Sequence, residues 1–327
     1  MQALTYSTFG EPSDVIRLTD LPDGQPGVGE VRLRIVQAPI HNHDLATIRG
    51  RYGVRPELPA SAGSEALGIV EACGDGVSNV KVGQRVASSG IRGAWAQHAI
   101  VPAQGVVPVP DGMPDDAACQ LLAMPLSALV LLDELHLPEG TWIVQTAAGG
   151  AVGRLLESIA ARKNISVINL VRREEAAQAL RNDGARHVVS TDADDWTTHV
   201  RAIVGDGKIS RIVDSVAGPL ALKLVRLLAD RGEFVVFGAL EPKPLSIDPG
   251  ALIFNHIIVR GFWMTKWMQE ATPQQRGAAF ADLFALVQAG ALDLRVSAHF
   301  PLSDAKAALI AAETPGRQGK VTFRPSP

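Results

Sequence analysis

Residues 141–160, TWIVQTAAGGAVGRLLESIA, hold the strongest chemical signal in the chain. A short β-branched and aromatic run at 142–144 turns through Ala147, Ala148, Gly149 and Gly150, then continues into helix-forming sequence from about Val152. A strand that turns through small residues into a helix offers free backbone N–H groups and a positive dipole end to an anion. Ala148, Gly149, Gly150, Ala151, Val152 and Gly153 would line such a cradle. Small residues let a pyrophosphate reach the backbone, and Gly153 lets the helix pack closely on its sheet. The spacing is AxxGxxG rather than GxGxxG, and by itself it is a weak signal. Its context adds to it, because a second apolar run, SVINLV at 166–171, ends at Arg172 and Arg173. That position meets the adenosine ribose of a bound dinucleotide, where an acidic residue favours a free 2′-hydroxyl and a guanidinium pairs with a 2′-phosphate. The pattern reads as an NADPH site with Arg172 and Arg173 on the phosphate. The competing reading is a pair of arginines that cap a strand and bind Glu174 and Glu175.

A second group of chemically capable residues lies near the N-terminus. His41, His43 and Asp44 fall within IHNHD, and Tyr52 follows among Arg49, Arg51 and Arg55. The chain has only two tyrosines, and the other, Tyr6, belongs to the first strand-like run. A tyrosine is protonated at neutral pH, and cationic neighbours ease loss of its proton. Placed between Gly50 and Gly53, Tyr52 reads equally well as an aromatic that closes a turn. His41, His43 and Asp44 come close in sequence, but adjacent residues on extended chain point to opposite faces, which argues against a tetrahedral metal site. They read instead as a hydrogen-bonded polar turn, and no metal is expected.

Residues 1 to about 115 contain short β-type runs (EVRLRIV, ALGIVEAC, QRVASS, AWAQHAIV) separated by turn chemistry such as Gly74-Asp75-Gly76. From about Asp115 the pattern becomes helical, with a kink or restart expected at Pro125. Strands and helices then alternate through WIVQT, SVINLV, HVVST, RIVDSV, EFVVFG and IIVRGF, which predicts a doubly wound parallel sheet. The tail reads as helix at 274–289, extended chain at 296–301, a capped helix at 303–313 and a last strand at 320–324. With 46% hydrophobic and 20% charged residues and a net charge of −3, the composition is that of a globular enzyme. It gives no reason to expect nucleic-acid or membrane-surface binding. No apolar run is long enough to span a bilayer, and MQALTYSTFG lacks the form of a signal peptide. Two cysteines, Cys73 and Cys119, form no disulfide framework, so a reducing cytoplasm is expected.

The whole chain resembles the medium-chain dehydrogenase/reductase superfamily. The resemblance is carried by the β-rich start, the alternating centre and three stretches, VEACGDGVSNVKVGQRV, VDSVAGP and GRQGKVTF. It implies an α/β chain with a GroES-like β-barrel catalytic domain (1–117 and 267–327) and a Rossmann domain with a doubly wound parallel sheet (118–266). The zinc members of that superfamily carry a GHE motif and a Cys ligand. Here the corresponding places read Gly63-Ser64-Glu65 and His41. RGRYGVRPELPASAGSEALGIV and LIFNHIIVRGFWMTKW resemble the zinc-independent 2-enoyl thioester reductases, next to the NADPH:quinone oxidoreductases. Members of the first group reduce trans-2-enoyl groups carried on coenzyme A or acyl carrier protein. The resemblance implies that Tyr52 is the proton donor and that Phe262 and Trp263 lie by the nicotinamide and acyl pocket. Gly238 and Ala239 would approach the nicotinamide, and Lys320 the cofactor ribose. Met124, His41 and His43 stand where that group often has NPxTA and INPSD, and they would line the substrate pocket. The implied activity is NADPH-dependent reduction of an activated C=C bond in a small-molecule substrate. The alternatives are quinone reduction and a non-catalytic NADPH-binding sensor or structural protein. The strand HIIVRGF would be an exposed apolar edge in a monomer, so a homodimer is expected.

Overall fold

The computed structural model describes residues 1–241 and 243–326. The chain divides into two compact units, Met1–Ala123 with Leu294–Pro327, and Met124–Asp293. Unit 1 opens with β1 (Gln2–Tyr6), β2 (Arg17–Asp20), β3 (Glu30–Pro39), β4 (Ala60–Ser61), β5 (Glu65–Cys73), β6 (Arg85–Ser89), β7 (His98–Pro102) and β8 (Val106–Pro108). Unit 2 supplies β9 (Trp142–Gln145), β10 (Ser166–Val171), β11 (Val188–Ser190), β12 (Ile209–Asp214), β13 (Glu233–Val236) and β14 (Ile258–Gly261). The chain then returns to unit 1 with β15 (Val296–Phe300) and β16 (Lys320–Phe323).

In unit 1 one sheet runs β15-β16-β3-β5-β6-β8, with β7 also paired to β3, and a smaller sheet runs β2-β1-β4. The alternation in EVRLRIV turns Val31, Leu33 and Ile35 of β3 into the core and leaves Arg32 and Arg34 on the polar side. The core is anchored by Trp95, whose ring lies 5.1 Å from that of Phe323 and whose Nε1 donates to the Pro39 carbonyl at 3.1 Å. Gly63 approaches Trp95 at φ +91°, and a Cβ there would run into the indole. That tight turn sets where Ser64 and Glu65 start β5.

Unit 2 is a six-stranded sheet in the order β11-β10-β9-β12-β13-β14, every neighbouring pair parallel. This is the doubly wound arrangement that the strand–helix alternation predicts. Its apolar core includes Val144, Ile168, Trp196, Ile212 and Phe234. Residues 267–293, with the helix Pro273–Gln288, cluster with this unit.

The helical stretch after Asp115 breaks at a different place from the one expected. Helices span Asp115–Ala118 and Ala123–Glu134, so the interruption covers 119–122 and Pro125 sits inside the first turn of the second helix. Proline is tolerated there because a first-turn N–H has no helical acceptor to lose. The restart coincides with an external acceptor, the Glu65 carboxylate, which takes the N–H groups of Leu122 and Ala123. No helix among the described residues is long and apolar enough to cross a membrane.

Candidate active site

In unit 1 the chain leaves β3 and enters the helix Asn42–Ile48. His41 precedes this helix, and its backbone N–H donates to Asp44 Oδ2 at 2.9 Å, an acidic cap that stabilises the first turn. The polar segment IHNHD is therefore a helix start, and this corrects the extended geometry expected from the sequence. Helical winding brings the two imidazoles onto one side. The His41 and His43 rings stack at 4.9 Å between centroids and 18° between planes. Tyr52, half-buried on the loop after the helix, stacks on His43 at 5.6 Å and 30°. The result is a column of three rings running from a fully buried imidazole to a phenol that reaches the surface.

Glu65 holds the inner end of the column. Its Oε2 lies 2.7 Å from His41 Nε2, and its Oε1 accepts from Leu122 and Ala123 N–H at 2.7 and 2.8 Å. Both side chains are shut off from water. Burial pushes the Glu65 carboxyl up to about 7 despite its two backbone donors. Burial and the nearby Lys320 charge hold the His41 imidazole well below its ordinary range. Neutralising one partner lowers the cost of enclosing the pair. Lys320, the first residue of β16, is also buried, and its ammonium is lowered to about 8 by loss of water and the charge of Arg317. His43 Nε2 lies 2.6 Å from Ser64 Oγ and 3.6 Å from Asp44 Oδ1. Of the arginines around Tyr52, Arg49 is committed elsewhere, pairing with Glu11 and Glu313 at 2.7 Å each. Arg55 lies over the Phe9 ring at 4.4 Å, and Arg51 is exposed.

In unit 2 the turn after β9 runs through small residues. Ala147 takes φ +52°, and its carbonyl accepts from Gly150 N–H at 2.8 Å. The helix Ala151–Arg162 follows, and its first intrahelical bond runs from Arg154 N–H to the Gly150 carbonyl at 3.0 Å. The N–H groups of Ala151, Val152 and Gly153 precede that bond and are the free donors of the first turn. Gly150 thus contributes the absence of a side chain, since its own N–H is taken within the loop. At Gly153 a Cβ would fall 2.6 Å from Ala148 Cα, so the helix and the buried Ala148 meet at backbone distance. Ala148 N–H donates to Leu170 O at 3.1 Å, which sets the turn beside the end of β10.

Arg172 and Arg173 follow that strand end and are exposed. Among the described residues neither guanidinium has an ion-pair partner, because Glu174 is held by Arg181 at 2.6 Å. The pairing of these arginines with Glu174 and Glu175 does not form. At the ends of β13 and β14, Phe237 and Phe262 stack at 6.1 Å, Gly238 is half-buried and Ala239 is exposed. Trp263 is 36% exposed and precedes the helix Met264–Glu270, whereas Trp267 is half-buried and donates from Nε1 to Glu134 at 3.2 Å. Met124 is half-buried in the first turn of its helix. The site residues expected from the sequence therefore form two sets. His41, His43, Tyr52 and Lys320 gather in unit 1, and the phosphate loop, Arg172, Arg173, Gly238, Ala239, Phe262, Trp263 and Met124 belong to unit 2.

Residues 27–111 match the alcohol dehydrogenase GroES-like domain, and residues 151–279 match the zinc-binding dehydrogenase family. The mitochondrial enoyl-acyl-carrier-protein reductase of Bos taurus is 31% identical over 323 residues, covering 96% of this chain and 86% of the relative. The chain belongs to the medium-chain dehydrogenase/reductase superfamily. Among solved structures of this superfamily, a putative NADPH:quinone reductase from Mesorhizobium loti superposes with a TM-score of 0.89 at 28% identity, covering 99% of this chain and 98% of that one. A mycobacterial protein complexed with NADPH superposes with a TM-score of 0.88 at 28% identity, covering 99% and 100%.

The zinc implied by one of those family descriptions does not fit the residues of this superfamily member. His41 and Glu65 are spent on each other, the residue before Glu65 is a serine, and the buried Cys119 thiol donates to the Asp116 carbonyl. No group of three or more metal-binding side chains is assembled among the described residues. Two buried acids that hold these segments escaped the sequence reading. Glu65 registered only as the residue beside a missing imidazole, although an acid inside the apolar run SEALGIV is itself a signal. Asp214, at the end of RIVDSV, is fully buried and accepts from Thr146 Oγ1 at 2.6 Å and from the N–H groups of Val216 and Ala217.

Proposed function

We propose that this protein uses NADPH to reduce the activated C=C bond of a trans-2-enoyl thioester. The observation that carries the reading is Tyr52, a half-buried phenol stacked at the outer end of the His41–His43 column. Similarity to the bovine enoyl reductase supports it. In this reading unit 2 binds the cofactor. The N–H groups of Ala151, Val152 and Gly153 and the helix dipole receive the pyrophosphate. The unpaired guanidiniums of Arg172 and Arg173 hold the 2′-phosphate that separates NADPH from NADH. Gly238, Ala239, Phe262 and Trp263, at strand ends, border the nicotinamide. When bound, NADPH supplies the hydride for Cβ. Unit 1 supplies the proton, with Tyr52 delivering it to Cα as charge builds on the thioester enolate. Lys320 contributes a cation for the ribose, and Met124 and His43 border the acyl group; His41, expected from the sequence to line that pocket, is instead sealed from water against Glu65 and supports the ring column from within.

Similarity to the Mesorhizobium loti quinone reductase favours a second reading, in which the same scaffold reduces quinones and needs no dedicated proton donor. The experiment that separates the two follows NADPH oxidation with short and medium trans-2-enoyl-CoA and with a quinone panel, in wild type and Tyr52→Phe. Loss of a positioned general acid costs about 100-fold or more, so enoyl turnover should fall by that factor in the variant. Turnover confined to quinones and indifferent to Tyr52→Phe would establish the second reading. NADPH binding with no turnover at all would leave a non-catalytic binder. A homodimer formed through β14 completes the proposal, and the free thiols of Cys73 and Cys119 suit a reducing cytoplasm.

A further inference from the structure

His43 occupies the middle of the ring column, and every group around it has a defined chemistry. On one face lies His41, sealed from water and tied to Glu65. On the other lies Tyr52. At its edge Ser64 Oγ is 2.6 Å from Nε2 and the Asp44 carboxylate is 3.6 Å away. The charged groups that face it are thus Asp44 and, past His41, Glu65 and Lys320, whose charge is felt at both His41 and Glu65. Burial keeps His41 neutral, so a proton on His43 meets no stacked cation, while Asp44 attracts it. An imidazolium against an aromatic face is a favourable cation–π contact, and it becomes stronger when the ring carries a phenolate.

We propose that His43 is a positioning residue for Tyr52, holding the phenol by ring contact and, as the imidazolium, stabilising the phenolate left when the proton departs. The inference rests on the reading of Tyr52 as the proton donor. In the step, the Tyr52 O–H bond breaks and a Cα–H bond forms while the hydride from NADPH adds at Cβ. Water then returns a proton to the phenolate, and His43 keeps its own. Because the charged ring does the work, activity follows its protonation and falls toward alkaline pH.

The test measures kcat and KM for enoyl-CoA reduction from pH 5.5 to 9 in wild type, His43→Phe, His43→Gln, Tyr52→Phe and the double variant His43→Phe/Tyr52→Phe. Phenylalanine keeps a ring in the stack, and glutamine keeps a partner for Ser64, so one variant remains informative if the other folds poorly. The expected result is a kcat about tenfold lower at pH 6 in both His43 variants and loss of the alkaline decline seen in wild type. His43→Phe should add nothing in the Tyr52→Phe background, because the two act through one step. A uniform fall that leaves the wild-type pH profile intact, or an equal loss in both backgrounds, overturns the inference while the donor reading stands. Full enoyl turnover in Tyr52→Phe overturns the donor reading, and the inference with it.

Discussion

A carboxyl sealed beside an imidazole gives unit 1 a pH-sensitive interior. Glu65 is raised to about 7 by burial, so its proton is held more tightly in the folded chain than in the unfolded one. Its stabilising contribution is therefore complete at low pH, below about 4.5, and is lost as pH climbs through 7. Glu65→Gln keeps the acceptor for Leu122 and Ala123 and removes the titration. The variant should gain on wild type between pH 5 and 8, with a swing on the order of 3 kcal/mol, read as the difference in thermal midpoints at the two pH values. Identical pH dependence in both proteins would refute it. On the other unit, Arg172→Ala should weaken NADPH about tenfold and leave NADH unchanged, measured by nucleotide fluorescence titration, because only the 2′-phosphate loses a partner. The place of Arg172 was legible because it depends only on the strand end next to it in sequence. Glu65 was not, since its partners are His41, 24 residues before it, and Leu122, 57 residues after it.

Short elements with local rules were read well, and elements that depend on distant acceptors were read less well. The phosphate turn belongs to the first kind. The backbone contact at Gly153 shows as a residue type, whereas the positive φ of Ala147 does not, because alanine seldom adopts it. Gly153→Ala should force the helix Ala151–Arg162 off Ala148. Overpacking of this kind costs about 1–3 kcal/mol, so both a lower melting temperature and weaker NADPH binding are expected, checked by calorimetry with and without nucleotide. An unchanged melting temperature would contradict the close packing. The break at 119–122 belongs to the second kind, because an acid on β5 decides where the helix restarts. IHNHD does as well, since the cap from Asp44 turns an apparently extended run into a helix start.

Across the molecule, the division into a strand-rich part and a strand–helix part was visible as a change of periodicity, whereas partnership across chain copies has to be argued from exposed surface. β14 ends the six-stranded sheet with Ile258 52% and Val259 36% exposed, and Phe254 just before it is 78% exposed. An apolar edge of this kind is an association site unless it is covered. Ile258→Lys should turn a dimer into a monomer in light scattering with little change in melting of the separated chain. A monomeric wild type would end that proposal. β16 pairs with β3 through Thr322 and Phe323, and Arg49 ties Glu11 to Glu313, so unit 1 is closed by residues from both ends of the chain. A ribosome finishes all of unit 2 before it reaches those residues. During synthesis the nucleotide-binding sheet can fold as an uninterrupted stretch, while the barrel waits with β3 unpaired along one part of its edge. Nascent chains arrested before Lys320 should therefore protect unit 2 from protease and leave unit 1 open to cleavage.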